Sequence, residues 1–122
     1  LLNTVFLNTD RVTHVHIETM NSMLNGTSFN NTTPQTWNLN VLTSITLWCS
    51  NISDANLETI MYAWSLNANT NSGAPGTVDA TNIGGFTTRT YSVGSNMDLA
   101  LNDPTNGLVA AKGWNVTGIN IV

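Results

Sequence analysis

Two histidines and a glutamate, His14, His16 and Glu18, alternate with apolar residues near the start of the chain. In a β-strand, residues two apart share one face at a spacing of about 7 Å, so the three side chains could reach one divalent metal ion. Two imidazoles and one carboxylate are a ligand set for zinc or non-haem iron. A metal site is the sharpest chemical hypothesis that the sequence offers. The interpretation we favour is a solvated strand face, or a face packed under a neighbouring subunit.

Residues for catalysis are not arranged in any recognisable pattern. No serine lies in a G-x-S-x-G turn, and both histidines fall on one predicted strand. Cys49 is the single cysteine, so the chain has no internal disulfide, and it falls on the apolar face of its predicted strand. Asp98 and Asp103 flank a turn but lack the alternating oxygen ligands of a calcium loop. We therefore expect no enzymatic activity and no cofactor.

Carbohydrate binding is the alternative function that the composition suggests. Sugars are held by a flat aromatic face, with amide and carboxylate groups bonding their hydroxyls, and the chain has four tryptophans and 19 asparagines. Alternation places Trp48 on the polar face of its strand, and Trp114 stands beside Asn115. These two tryptophans are the candidate stacking residues. In the other interpretation Trp114 is a core residue and Trp48 is covered by a partner chain.

N-glycosylation is a further hypothesis. Five asparagines begin an N-x-S/T sequon, about as many as this content of asparagine, serine and threonine gives by chance. Modification would require passage through a secretory route. The five are Asn25, Asn30, Asn31, Asn51 and Asn115.

The composition limits the class of protein. The 122 residues form one predicted domain, 1–122, with only 8% charged residues and a formal charge of −4. Uncharged polar side chains must therefore hydrate most of its surface, and the chain has 19 asparagines, 19 threonines and 9 serines. Three basic residues cannot cover a run of phosphates, so we expect no nucleic acid as a partner of this segment. The longest apolar run, 60–64, is far below the roughly 20 residues of a membrane span.

The elements that must position these residues are mostly predicted strands. Valine, isoleucine and threonine together favour strands, and residues 36–49 alternate between an apolar and a mainly polar face. One buried and one solvated face is typical of antiparallel sheets. In the last stretch the apolar positions change face around Gly118, which predicts a bulge. The predicted strands are 4–9, 11–20, 36–49, 86–93 and one or two within 108–122.

Residues 53–66 allow two interpretations. Leu57, Ile60, Met61 and Trp64 have helical spacing, with Ser53 as a candidate N-cap, which favours one short helix near 53–64. Written as a strand, the same segment also places apolar residues on one face. With or without this helix, we expect an all-β, mainly antiparallel β-sandwich of jelly-roll or immunoglobulin-like type.

The functional expectation, self-association, comes from the predicted edge strands. The first and last predicted strands carry no charged residue in 4–8 and 119–122, and charged side chains are what normally block pairing between edges. We expect a structural subunit of an extracellular, cell-surface or virion assembly, such as a capsid shell, decoration or filament protein, that forms a homo-oligomer or polymer. A lectin-like module that binds glycans is the alternative. The expected contact residues are Val5, Phe6, Leu7, Ile119 and Ile121.

Overall fold

The computed structural model describes residues 19–21, 30–37, 39, 44–48, 52–70, 77–81 and 87–122. These residues form a mixed α/β fold that contains two α-helices, one turn of 3-10 helix and six short strands. The helices are α1 (Asp54–Leu66) and α2 (Asn96–Asn102), and the 3-10 turn is Thr33–Thr36. The strands are β1 (Thr19–Asn21), β2 (Ser44–Trp48), β3 (Thr77–Asp79), β4 (Arg89–Tyr91), β5 (Asn115–Thr117) and β6 (Ile119–Ile121).

The strands pair in parallel throughout the described part of the chain. One sheet has the order β1-β2-β3-β5, and β4 pairs with β6 in a second sheet. Val78 of β3 is in register with Leu47 of β2 on one side and with Val116 of β5 on the other. Parallel neighbours need a long connection, usually a helix. Helix α1 lies between β2 and β3, and α2 lies between β4 and β5.

The expected antiparallel β-sandwich, of jelly-roll or immunoglobulin-like type, is therefore wrong. Hairpins would have placed successive strands antiparallel, whereas β2 and β3, which α1 connects, pair in parallel. The antiparallel prediction was based on the alternation over 36–49. Such alternation gives no information about strand direction.

Helix α1 confirms the predicted helix. Ser53 caps it, because the serine Oγ accepts a hydrogen bond from the backbone N–H of Asn56 at 3.2 Å. Asp54 lies in the first turn, where a negative charge is favourable beside the helix dipole. The four residues with helical spacing are all buried: Leu57, Ile60, Met61 and Trp64. Within the ranges that the structure describes, no helix has the length and apolar character needed to span a membrane.

Helix α2 was not predicted. Its seven residues begin after Ser95, whose Oγ accepts from the backbone N–H of Asp98 at 3.2 Å. A second free amide at the helix start, that of Met97, donates to Glu58 of α1 at 2.9 Å. The two helices pack together, and the face of α2 that is buried consists of Met97, Ala100 and Leu101.

Strands of the structure lie within several of the predicted segments. Residues 33–36 form the 3-10 turn, so the strand predicted over 36–49 does not begin at Thr36, and β2 is the strand that the structure describes within this range. Strand β4 lies within the segment 86–93, as predicted. Strand β1 includes the last two residues of the strand predicted over 11–20. The strand predicted over 4–9 lies outside the described residues.

Gly118 separates β5 from β6, and its role differs from the predicted bulge. Its φ of +83° is in the left-handed region that favours glycine, and a Cβ there would lie 2.6 Å from the Thr81 backbone nitrogen. The carbonyl of Thr117 accepts from the Ala80 N–H, and the carbonyl of Gly118 accepts from the Arg89 N–H, each at 2.9 Å. The change of face in the sequence therefore marks the passage from one sheet to the other.

The core lies between the helices and the strands. Trp64 and Trp114 pack with their ring centroids 6.1 Å apart and the planes tilted by 55°. The Trp64 indole N–H donates to the Pro34 carbonyl at 2.7 Å, which fixes the 3-10 turn against α1. Among the described residues, the largest fully buried side chains are Trp37, Trp64, Trp114, Arg89, Leu39 and Leu57.

Candidate assembly edge

The segment 115–122, which we call the terminal layer, forms the outermost strands of both described sheets. Strand β5 is the last strand of the four-stranded sheet, and β6 is one of the two strands of the other. Because Gly118 joins them directly, β5 lies beside β3 while β6 lies beside β4. The terminal layer thus pairs with both described sheets, through β5 with β3 and through β6 with β4.

The backbone of β6 has an inner and an outer edge. Gly118 and Val122 direct their backbone groups to β4, since Gly118 O accepts from Arg89 and Val122 N donates to the Tyr91 carbonyl at 2.9 Å. Backbone direction alternates along a strand, so the amides and carbonyls of Ile119 and Ile121 point to the outer edge. These groups have no hydrogen-bond partner within the described part of the chain. They are able to pair with an added strand.

The side chains of the terminal layer are apolar and only partly covered. Val116, Ile119 and Ile121 pack against the core while remaining half-buried. At the end of this sheet, Val93 is 72% exposed and Val122 is 65% exposed, and the Val93 N–H donates to the Val122 carbonyl at 2.9 Å. The layer therefore combines an open backbone edge with apolar surface.

Charged side chains are missing from the terminal layer. The sequence from Gly113 to Val122 contains neither acid nor base. Lysine on an edge strand prevents pairing with another chain because its ammonium group would be stripped of water. No such residue stands on β6, so nothing in its charge pattern opposes strand addition.

Strand β4, which pairs with β6, is held in place by polar contacts of its buried side chains. The guanidinium of Arg89 donates through Nε to the Ala80 carbonyl and through Nη1 to the Ile52 carbonyl at 2.5 Å. The Tyr91 hydroxyl donates to the Asp54 carbonyl at 2.8 Å. Burial, and secondly the nearby Asp54 carboxylate, raise the pKa of Tyr91. These contacts fix β4 against the start of α1 and so give β6 a rigid support.

Some residues of the predicted sites lie outside what the structure describes. His14, His16 and Glu18 are among them, as are Val5, Phe6 and Leu7, so the metal hypothesis and the front contact remain predictions. Among the described residues there is no group of three metal-ligating side chains. Of the predicted contact residues, the structure describes Ile119 and Ile121 of β6.

The two candidate tryptophans differ in position. Trp114 is 2% exposed and packs on Trp64, which agrees with its interpretation as a core residue. Trp48 ends β2, and its side chain is outside the described set. The described tryptophan side chains therefore provide no exposed ring for a sugar.

The sequons fall in different settings. Asn25 and Asn51 are outside the described residues. The side-chain oxygen of Asn30 accepts hydrogen bonds from the Ser53 N–H and the Asn56 amide, each at 2.9 Å, and that of Asn31 accepts from the Thr33 N–H at 3.0 Å. Asn115 is exposed at the start of β5. Glycosylation remains a prediction at all five.

A cleft that the sequence did not indicate lies where α1, α2 and the following turn meet. It has a volume of about 220 Å³. Its residues come from segments about forty positions apart, which is why no local spacing predicted it. They are Tyr62, Ser65 and Leu66 of α1, Leu99 of α2, and Asp103 and Asn106 of the turn.

Comparisons with models of protein families, with curated proteins and with solved structures give no match for this chain.

Proposed function

We propose that this chain is a non-enzymatic structural subunit of an extracellular or virion assembly, and that its copies associate through the outer edge of β6. The observation that carries the proposal is the backbone edge at Ile119 and Ile121, which is unpaired among the described residues and lies beside half-buried apolar side chains in an uncharged segment. Strand addition satisfies these backbone groups and buries the apolar surface in one step.

A second copy is the partner that the topology favours. In a parallel sheet, each inner strand forms hydrogen bonds through one edge with the neighbour on one side and through its other edge with the neighbour on the other side. The two outermost strands therefore have complementary edges. In the described two-stranded sheet, β4 is outermost at one side and β6 at the other. Copies that repeat this order form a head-to-tail contact, which extends into a filament or closes into a ring.

The overall composition supports the same proposal. Only 8% of the residues are charged, so repulsion between copies is weak. Such a surface favours association in concentrated conditions, and neighbouring copies would shield it in an assembly. We propose that the protein functions in an extracellular or virion setting.

The test compares two lysine variants that carry the same charge change. Asn120→Lys introduces an ammonium group in the middle of β6, where the side chain is exposed, and Thr59→Lys introduces one on the exposed face of α1. We expect the unmodified chain and Thr59→Lys to increase in mass with concentration in sedimentation velocity. Asn120→Lys should associate at least about tenfold more weakly, with an unchanged circular dichroism spectrum.

Two results would overturn the proposal. One is an unmodified chain that stays monomeric at all concentrations, and the other is an Asn120→Lys variant that associates as strongly as Thr59→Lys. A chain that stops at a closed dimer would contradict the extended assembly. Hydrogen exchange gives an independent measurement, because the Ile121 amide should exchange quickly in dilute solution and slowly in the assembled state.

A further inference from the structure

We propose that the cleft between α1, α2 and the turn 103–106 binds a neutral saccharide ring. This site is distinct from the terminal layer, and its residues differ from the tryptophans considered from the sequence. The volume of about 220 Å³ is smaller than the pockets that hold drug-sized ligands, and it suits one ring of a glycan rather than an extended chain.

Three polar groups of the cleft are available to a ligand. The Oδ2 atom of Asp103 accepts from the backbone N–H groups of Thr105 at 3.1 Å and Asn106 at 2.7 Å. These bonds fix the carboxylate, while Oδ1 accepts no hydrogen bond from the described residues. The Tyr62 hydroxyl and the Asn106 side-chain amide likewise have no partner in the described part of the chain. Together they offer donors and acceptors, as sugar hydroxyls require.

The walls of the cleft supply apolar surface. Leu66 is 52% exposed and Leu99 is 40% exposed, although both are large apolar residues. The ring of Tyr62 is half-buried between the core and the cleft. A sugar ring has one face of C–H groups, which packs on an aromatic or aliphatic surface while its hydroxyls form hydrogen bonds. The combination of side chains fits that amphipathic ligand.

The charges of the site favour a neutral ligand over an ion. The Lys112 ammonium donates to two carbonyls of cleft residues, Ser65 at 2.9 Å and Asn106 at 2.7 Å. Burial lowers the pKa of Lys112, and the negative charge of the Asp103 carboxylate acts in the opposite direction. The Lys112 ammonium, bound to the carbonyls of two lining residues, partly offsets the negative charge of Asp103. Neither a simple amine nor a simple carboxylate would find an unopposed charge there.

The test uses saturation-transfer NMR with the methyl glycosides of glucose, galactose, mannose and N-acetylglucosamine, followed by titration calorimetry with the strongest binder. Asp103→Asn keeps an oxygen for the turn amides but removes the carboxylate from the cleft. Asp98→Asn makes the same change on α2, outside the cleft lining. We expect about tenfold weaker binding for Asp103→Asn, which corresponds to about 1.4 kcal/mol, and unchanged binding for Asp98→Asn. Tyr62→Phe should also weaken binding.

The proposal is overturned if none of the four glycosides receives saturation at low-millimolar concentration, or if the two aspartate variants bind alike. It is also overturned if methylammonium or acetate binds the cleft more tightly than every glycoside. Because the cleft shares no residue with β6, the Asn120→Lys variant should bind sugar normally. Failure of sugar binding and failure of assembly are therefore separate results.

Discussion

Arg89 and Asp54 form an ion pair whose two charges lie in very different environments. Arg89 Nη1 is 2.9 Å from Asp54 Oδ1, yet the arginine side chain is 1% exposed and the aspartate side chain is 57% exposed. The arginine also donates hydrogen bonds to the carbonyls of Ala80 and Ile52. It joins the end of β3 and the approach to α1 to strand β4, so the guanidinium acts as a structural cross-link rather than as half of a surface ion pair.

Replacement of Arg89 should therefore cost far more stability than replacement of its charged partner. Arg89→Met should lower the free energy of unfolding by about 1–3 kcal/mol for each buried carbonyl left without a donor. Asp54→Asn should cost less than about 1 kcal/mol, because the Asp54 carboxylate is 57% exposed and the Arg89 guanidinium keeps both carbonyl acceptors in this variant. Urea unfolding measures both. Equal losses in the two variants would show that the ion pair, and not the pair of carbonyls, stabilises this region.

The burial of Tyr91 predicts a loss of stability at alkaline pH. Its pKa is raised in the folded chain, so above about pH 10 the unfolded chain loses the phenolic proton while the folded chain keeps it. Stability from this group is complete below that pH and falls as the pH rises, by up to about 1.4 kcal/mol per pH unit.

The difference between the unmodified chain and Tyr91→Phe isolates this effect. Lys112 has a lowered pKa in the folded chain, so it contributes a slope of opposite sign, but it is present in both proteins and cancels in the difference. Unfolding free energies measured from pH 8 to 11 should converge as the pH rises. A difference that does not change with pH would contradict the prediction.

Gly118 and Gly94 have similar backbone conformations but different surroundings, so they allow the loss of stability caused by an added side chain to be compared. Both have positive φ, +83° and +82°, but a Cβ at Gly118 would meet the Thr81 backbone, whereas at Gly94 it would meet nothing within 4 Å. Gly94→Ala should cost about 1–2 kcal/mol for the left-handed conformation alone. Gly118→Ala should cost clearly more, and thermal unfolding would measure the difference. Similar losses would indicate that the Thr81 backbone moves aside easily.

Glu58 is expected to stabilise α2 although it lies on α1. Its Oε2 accepts from the Met97 N–H, one of the amides without a partner inside a helix. Glu58→Ala should lower the unfolding free energy by about 1 kcal/mol, as for other lost caps. Glu58→Gln keeps an acceptor oxygen and should lose less. The Met97 amide should exchange faster only in the alanine variant, and equal exchange in both variants would exclude the capping role.

Local features of the sequence were sufficient to predict α1. The spacing of Leu57, Ile60, Met61 and Trp64, together with the Ser53 cap, involves residues within a few positions of each other, and helical hydrogen bonds have the same short range. Helix α2 has the same kind of cap at Ser95 and Asp98. It was missed because its seven residues provide too few apolar positions to establish a period.

The error in topology came from treating the helix at 53–66 as neutral for the architecture. A 13-residue helix between two strands returns the chain to its starting edge, and this makes the strands parallel. Strand alternation over 36–49 shows which side chains share a face, but it is the same for a parallel and an antiparallel partner. The helix contained the information on direction that the alternation lacks.

The candidate sites also combine features that neighbouring residues determine with features that distant contacts determine. The absence of charge in 119–122 led to the prediction of a contact strand there, whereas the pairing of β6 with β4 decides which of its backbone groups point outward. The cleft could not be predicted, because Tyr62 and Asp103 are brought together only by the packing of α1 on α2.

The sequence by itself determined the composition of the surface, the position and buried face of α1, and the break at Gly118. Each of these depends on single residues or on neighbours within one or two turns of chain. The tertiary structure decided the direction of the strands, the exposed edge and the cleft. These depend on contacts between distant segments, whose free energy comes from burying surface that no local window of the sequence contains.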